Sequence, residues 1–212
     1  MFFQYLKKYK KSNNLSRYTQ TTHTNNAVLK DINDLKLRDY NFSSSRFISK
    51  VQNIFLILQD ASSNKNLETL KIYETDEFYN IHKTQIDYLI DNNRTRYVDN
   101  IAILESKIMN YYTDENFDIL EVLFDINAID YTINNTTKVI LDGNRNILKN
   151  KKYIYTFIRP KSAITIDNYL LVSYCPSCGA PTNINASSIC EYCECILIDK
   201  SQDWLINNIE EY

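Results

Sequence analysis

The spacing of apolar residues along this chain changes near its midpoint. In SSSRFISKVQNIFLILQDASS, Phe47, Val51, Ile54, Phe55 and Leu58 recur every three or four residues, which is one face of an α-helix. Ser43 or Ser44 precedes the run and offers a side-chain oxygen to cap it. The stripe is strongly apolar, so this helix belongs at the centre of a core. A second helical stretch follows Asn66, with Leu67 and Leu70. A third follows Thr75, with Phe78, Ile81, His82, Ile86 and Leu89 as its stripe. His82 reads as a core-edge histidine.

The period then falls to two. YVDNIAILESKIMNYY reads as a long, mostly apolar strand. Leu120, Val122, Phe124, Ile126 and Ala128 alternate with Glu121, Leu123, Asp125 and Asn127, the pattern of a strand with one wet face. Glu121 and Asp125 share that wet face. TTKVIL follows, then the turn signal Asp142-Gly143, then KKYIYTFIRP. In this last strand Tyr153, Tyr155 and Phe157 point one way and Ile154, Thr156 and Ile158 the other. Helices first and antiparallel strands after make an α+β fold. Helices on one face of a long twisted sheet form a cone, and the inside of a cone is a pocket. Every residue assigned to that interior is apolar or aromatic. No paired carboxylates and no nucleophile–base set stand out, so the pattern favours binding over catalysis.

The cysteines change the picture. All five, Cys175, Cys178, Cys190, Cys193 and Cys195, fall near the C-terminus. The spacing is C-x2-C, eleven residues, then C-x2-C-x-C. A C-x2-C turn sets two thiolates about 3.5–4 Å apart, which suits zinc–sulfur bonds of about 2.3 Å. Gly179 follows the first knuckle, where the turn wants a positive φ. Pro176 and Pro181 flank it in a chain with three prolines. Cys175, Cys178, Cys190 and Cys193 are therefore read as ligands of one structural Zn²⁺, because four thiolates close the shell. Cys195 is either a buried strand cysteine or a spare thiolate.

Composition narrows the function classes. The chain has 212 residues, 44% of them hydrophobic, and a net charge of −2. Two glycines in the whole chain, Gly143 and Gly179, exclude glycine-rich phosphate loops and nucleophile elbows. Residues 1–30 carry Lys7, Lys8, Lys10, Lys11, Arg17 and Lys30 and no acid, so a basic arm precedes an acidic body. Its first half, MFFQYLKKYKK, joins aromatics to cations, which suits an anionic membrane surface through Lys7, Lys8, Lys10 and Lys11. A solvated, disordered tail is the other reading of the arm. No Lys or Arg lies between Cys175 and Asp199, so the cysteine segment repels phosphate and nucleic acid is not an expected partner.

FSSSRFISKVQNIFLILQDASSNKNLETLKIYETDEFY, the later YIYTFIR, and the tail CPSCGAP…CEYC…DWLI together resemble the translocase-of-inner-membrane-44-like domain. The tail resembles the zinc-ribbon extension of bacterial members. The resemblance implies a cone like that of nuclear transport factor 2, with an apolar pocket, followed by a small four-cysteine zinc ribbon. The mitochondrial member is a peripheral subunit of protein-import machinery, and no member is known as an enzyme. Cys175, Cys178, Cys190 and Cys193 match the ribbon ligands. Trp204 matches the tryptophan expected to pack the ribbon onto the cone. Glu194 departs from the pattern, which has Gly there. The expected layout is a disordered basic arm over 1–34, the domain over 35–162, and the ribbon with a C-terminal segment over 163–212. The expected function is non-enzymatic: binding a hydrophobic ligand, anionic lipid or protein partner at the cytoplasmic membrane surface. The alternative is a soluble adaptor that uses the ribbon as its contact surface.

Overall fold

The computed structural model describes residues 27–165, 173–174, 178–182, 190, 192–193 and 200–212. Short strand β1 (Val28–Lys30) and helix α1 (Ile32–Arg38) come first. Three further helices follow: α2 (Ser44–Asn64), α3 (Leu67–Tyr73) and α4 (Asp76–Asp91). Their starts are set by side-chain caps. Ser43 accepts from the Arg46 N–H, Asn66 from Thr69 and Thr75 from Phe78, each satisfying a donor that the helix itself cannot. Lys65 ends α2 in the left-handed region at φ 59° and returns its N–H to Ala61 and Ser62, a helix stop made without glycine.

The strands follow as β2 (Arg94–Thr113), β3 (Phe117–Asn134), β4 (Ile140–Gly143) and β5 (Lys149–Pro160), with β8 (Leu205–Glu211) last. The main sheet is antiparallel in the order β1-β2-β3-β5-β8, with β4 also paired to β3. A separate two-stranded ribbon joins β6 (Ser173–Tyr174) to β7 (Pro181–Thr182). On β3, Leu120, Val122, Phe124, Ile126 and Ala128 are wholly buried, as their alternation requires. The α2 stripe packs on this face. The Phe55 ring stacks on Phe124 with centroids 4.9 Å apart, and Phe47 meets Phe157 edge-on at 5.6 Å. Each buried ring of this kind removes a large apolar area from water.

Three features differ from the sequence reading. The sheet begins at Val28, which pairs with Thr113, so ordered structure starts inside the stretch assigned to the arm. The C-terminal segment does not stop at the cysteine module: β8 runs beside β5 and completes the sheet. Asp142-Gly143 does not reverse the chain. Tyr131 pairs with Gly143 and Ala128 with Lys149, so β4 and β5 lie end to end along one edge of β3. The reversal is instead at residues 135–139, with Lys138 at φ 59°. Residues 144–148 loop out between the two strands. Gly143 is needed because a Cβ there would sit 2.1 Å from the Asp130 carbonyl oxygen, at φ +77°.

Candidate functional site

Two clusters carry chemistry. The first is made of thiols. The Sγ atoms of Cys178, Cys190 and Cys193 lie within 4.8 Å of one another. Cys178 and Cys190 are 3.8 Å apart, too far for a disulfide. That separation is what two thiolates on one tetrahedral zinc adopt, given bonds of about 2.3 Å. Gly179, next to Cys178, takes φ +72° with nothing near its would-be Cβ, so its requirement is conformational. The β6–β7 hairpin brackets the first knuckle. The donor set thus fits a thiophilic metal. Cys175, the remaining expected ligand, lies outside the described residues, as do Cys195, Glu194, Lys7, Lys8, Lys10 and Lys11.

Past the cysteines the chain returns to the core at Trp204, 6% exposed. Its indole meets Phe47 at 5.4 Å and Phe42 at 6.2 Å, and the Arg159 guanidinium lies 4.6 Å above its ring. Arg159 ends the YIYTFIR strand and is itself buried. It donates to Asp39 Oδ2 at 2.8 Å and to Thr165 Oγ1 at 3.1 Å. Asp39 also accepts from the Thr165 backbone N–H and hydroxyl. Beside it, Asp118 pairs with Arg38 and accepts from the Tyr111 hydroxyl. Burial and then the hydrogen bond to Asp118 push that phenol up to about 12. These charges tie the start of the helical layer to the strand end that leads into the cysteine module.

The second cluster lines a cavity of about 50 Å³ between α2, α4 and the sheet. Its apolar walls include Phe78, Ile86, Val98 and Tyr155. The expected wholly apolar interior is corrected here, because Ser62, His82, Gln85 and Arg96 also line it. Arg96 reaches in from β2 and is held by Asp130 through two bonds of 2.9 and 2.6 Å. Burial pushes the Asp130 carboxyl up, but Arg96 and Lys151 outweigh it and hold the group below the usual carboxylate range. Burial also pushes the Tyr155 hydroxyl up. His82, placed at the core edge by the sequence, is 6% exposed. Its Nδ1 lies 2.7 Å from Glu74 Oε1 and its Nε2 lies 3.2 Å from Ser62 Oγ. Sequence reading missed Ser62, Glu74, Gln85 and Arg96. The signal for two of them was available: Ser62 is four residues past Leu58 on the α2 stripe, and Gln85 is three past His82. Polar residues on an apolar stripe face the interior and need a reason. Asp125, by contrast, is on the outer sheet face as expected, paired with Lys152 at 3.0 Å.

Helices on one face of a curved antiparallel sheet, with a thiol cluster appended, define an α+β cone of the nuclear-transport-factor-2 type. The Tim44-like domain family matches residues 29–174, about two-thirds of the chain, and the chain belongs to that family. It is a family of binding modules. No curated protein matches the chain. Among the described residues no helix is long and apolar enough to cross a membrane.

Proposed function

We propose that the protein is a peripheral binding module of the bacterial, ribbon-bearing kind, which docks on the anionic cytoplasmic face of a membrane. One structural Zn²⁺ held by Cys175, Cys178, Cys190 and Cys193 keeps its C-terminal module folded. The observation that carries the docking reading is a lobe on the edge of the sheet. Val139, Ile140, Leu141, Ile147 and Leu148 are all large apolar residues between 37% and 57% exposed. They sit on β4, the turn before it and the loop after it. Lys138, Arg145 and Lys149 are exposed among them. An apolar tip ringed by cations matches the interface of an anionic bilayer, where each cation contributes about 1 kcal/mol and the apolar groups add burial. The cavity of about 50 Å³ is too small for an acyl chain, so it is not where a lipid tail would bind. The arm residues Lys7, Lys8, Lys10 and Lys11 add charge to the same attraction.

The test is co-sedimentation with vesicles of phosphatidylglycerol and phosphatidylcholine, against phosphatidylcholine alone. Binding should need the anionic lipid and weaken with salt. Leu141→Asp with Leu148→Asp should lower affinity about tenfold or more with an unchanged melting temperature, because both side chains are already in water. Deleting residues 1–26, which spares β1, should lower it and flatten the salt dependence. Equal binding by the Asp variant would refute the lobe as the docking surface. The adaptor reading has one observation in its favour: Tyr192, between Cys190 and Cys193, is 70% exposed. Loss of a captured protein partner on Tyr192→Ala, with vesicle binding intact, would favour it.

A further inference from the structure

The cavity contains a relay that membrane docking does not use. Glu74 is fully buried at the joint of α3 and α4, and its Oε2 has no hydrogen-bond partner among the described residues. Taking a carboxylate out of water costs several kcal/mol, and a histidine kept for packing alone gains nothing from it. What the carboxylate does is orient a base. Oε1 accepts from His82 Nδ1–H at 2.7 Å, which leaves Nε2 as the acceptor for the Ser62 hydroxyl, 3.2 Å away. Ser62 is half-buried at the cavity wall, so its oxygen is open to a small molecule. A second observation points to a ligand. Gln85, one turn past His82, is 7% exposed and lines the same cavity, and no described residue hydrogen-bonds its amide.

We propose that Ser62, His82 and Glu74 form a nucleophile, base and positioning carboxylate for acyl transfer from a small ester, with the Gln85 amide as donor to the oxyanion. Ser62 Oγ attacks the ester carbonyl carbon while its proton passes to His82 Nε2. The carbonyl electron pair moves onto oxygen, where the Gln85 N–H meets it. Collapse of this intermediate breaks the ester C–O bond, and the leaving oxygen takes the proton from His82. Water then gives a proton to His82 and attacks the acyl-serine. Release of the carboxylic acid returns the proton to Ser62. The sum is ester plus water to acid plus alcohol. A cavity of about 50 Å³ takes a few waters or an acyl group of about two or three carbons, so the substrate class is acetyl or propionyl esters.

The full-length protein is given p-nitrophenyl acetate, with nitrophenolate release and peptide mass spectrometry as the two readouts. An acetyl group should appear on the peptide containing Ser62. Ser62→Ala should lower the rate about 100-fold, whereas Thr84→Ala, at an exposed position of α4 outside the cavity, should not change it. Glu74→Gln preserves shape but removes the negative charge that stabilises the imidazolium formed when His82 takes the Ser62 proton. It should lower kcat about tenfold or more, leave KM in place, and keep the acetyl on Ser62. The proposal falls if Ser62→Ala, a small change at a half-exposed position, hydrolyses the ester at the parental rate. It falls equally if acetyl groups are found on lysine or tyrosine and none on Ser62. Vesicle binding is measured separately, so failure here leaves the docking reading untouched, and the reverse also holds.

Discussion

The two glycines of this chain solve different problems, and the difference is measurable. Both take positive φ, +77° at Gly143 and +72° at Gly179, where a side chain is strained. At Gly143 the backbone of β3 is also in the way, with Asp130 O at 2.1 Å and Tyr131 Cα at 2.7 Å from a would-be Cβ. Neither is a flexible side-chain end, so relief requires β4 to separate from β3. Gly143→Ala should therefore cost at least about 2 kcal/mol of global stability, read by denaturant unfolding. At Gly179 only the conformational penalty applies, on the order of 1 kcal/mol. It acts in the thiol module and should lower metal affinity about fivefold while the global unfolding midpoint stays put. The residue type was legible at both sites. The reason at Gly143 was not, because a close approach between residues 131 and 143 belongs to strand pairing that no local window contains.

Among the secondary-structure elements, those with a long, regular period were the readable ones. α2 and α4 carry apolar stripes at helical spacing, β3 carries a near-strict alternation, and β5 carries a run of aromatic and β-branched residues. Each is where the pattern put it. β1, α1 and β8 were missed for a common reason. They are short, and their sequences are neither strongly apolar nor strongly periodic: LINNIEE becomes a strand because β5 offers it an open edge from Tyr153 to Ile158. Such tertiary pairing overrides weak local preference. The start of α4 is joined to β8 by the Thr75 backbone N–H, which donates to the Ile206 carbonyl at 2.9 Å, and by one side chain. Thr75 caps α4 by accepting from Phe78 N–H, and it donates to Asn207 Oδ1 at 3.2 Å inside the core. Asn207 Nδ2 already lacks a partner among the described residues. Thr75→Ala thus removes a cap and strands a second buried polar atom, and should cost about 2–3 kcal/mol. Ser43→Ala removes an exposed cap and an exposed contact with the Ser45 hydroxyl, strands no buried group, and should cost about 1 kcal/mol or less. Equal losses in thermal or denaturant melts would show that the Asn207 contact adds nothing. The same reasoning explains the cavity. Stripe spacing put His82 on an inward face and could have done the same for Ser62, but their meeting with Glu74 required α2, α4 and the α3–α4 joint to be packed together.

For the whole molecule, the order of the chain makes the thiol module an insertion and not a tail. β5 ends at Pro160 and β8 begins at Leu205, yet the two are hydrogen-bonded neighbours. The stretch between β5 and β8 is therefore inserted, in sequence, between two neighbouring strands, and it holds β6, β7 and the clustered Cys178, Cys190 and Cys193. The return is fixed by Trp204 against Phe42, Phe47 and Arg159. A metal bound by these thiolates folds the module directly, since its binding energy is folding energy. It also shortens the effective loop that β8 must close to pair with β5. Chelation should therefore act at two magnitudes. Amides of the β6–β7 hairpin should lose nearly all hydrogen-exchange protection. The cone should survive, destabilised by only about 1–2 kcal/mol, the closure entropy of a longer flexible loop. Its Trp204 fluorescence should keep the spectrum of a buried indole. Truncation after residue 200 should be far worse, because it removes Trp204, Ile206 and an edge strand together. If chelation unfolds the cone as fully as that truncation, the module is part of the cone's core. If chelation changes neither the hairpin amides nor the melting temperature, the thiols hold no metal and the assignment of a structural zinc is wrong.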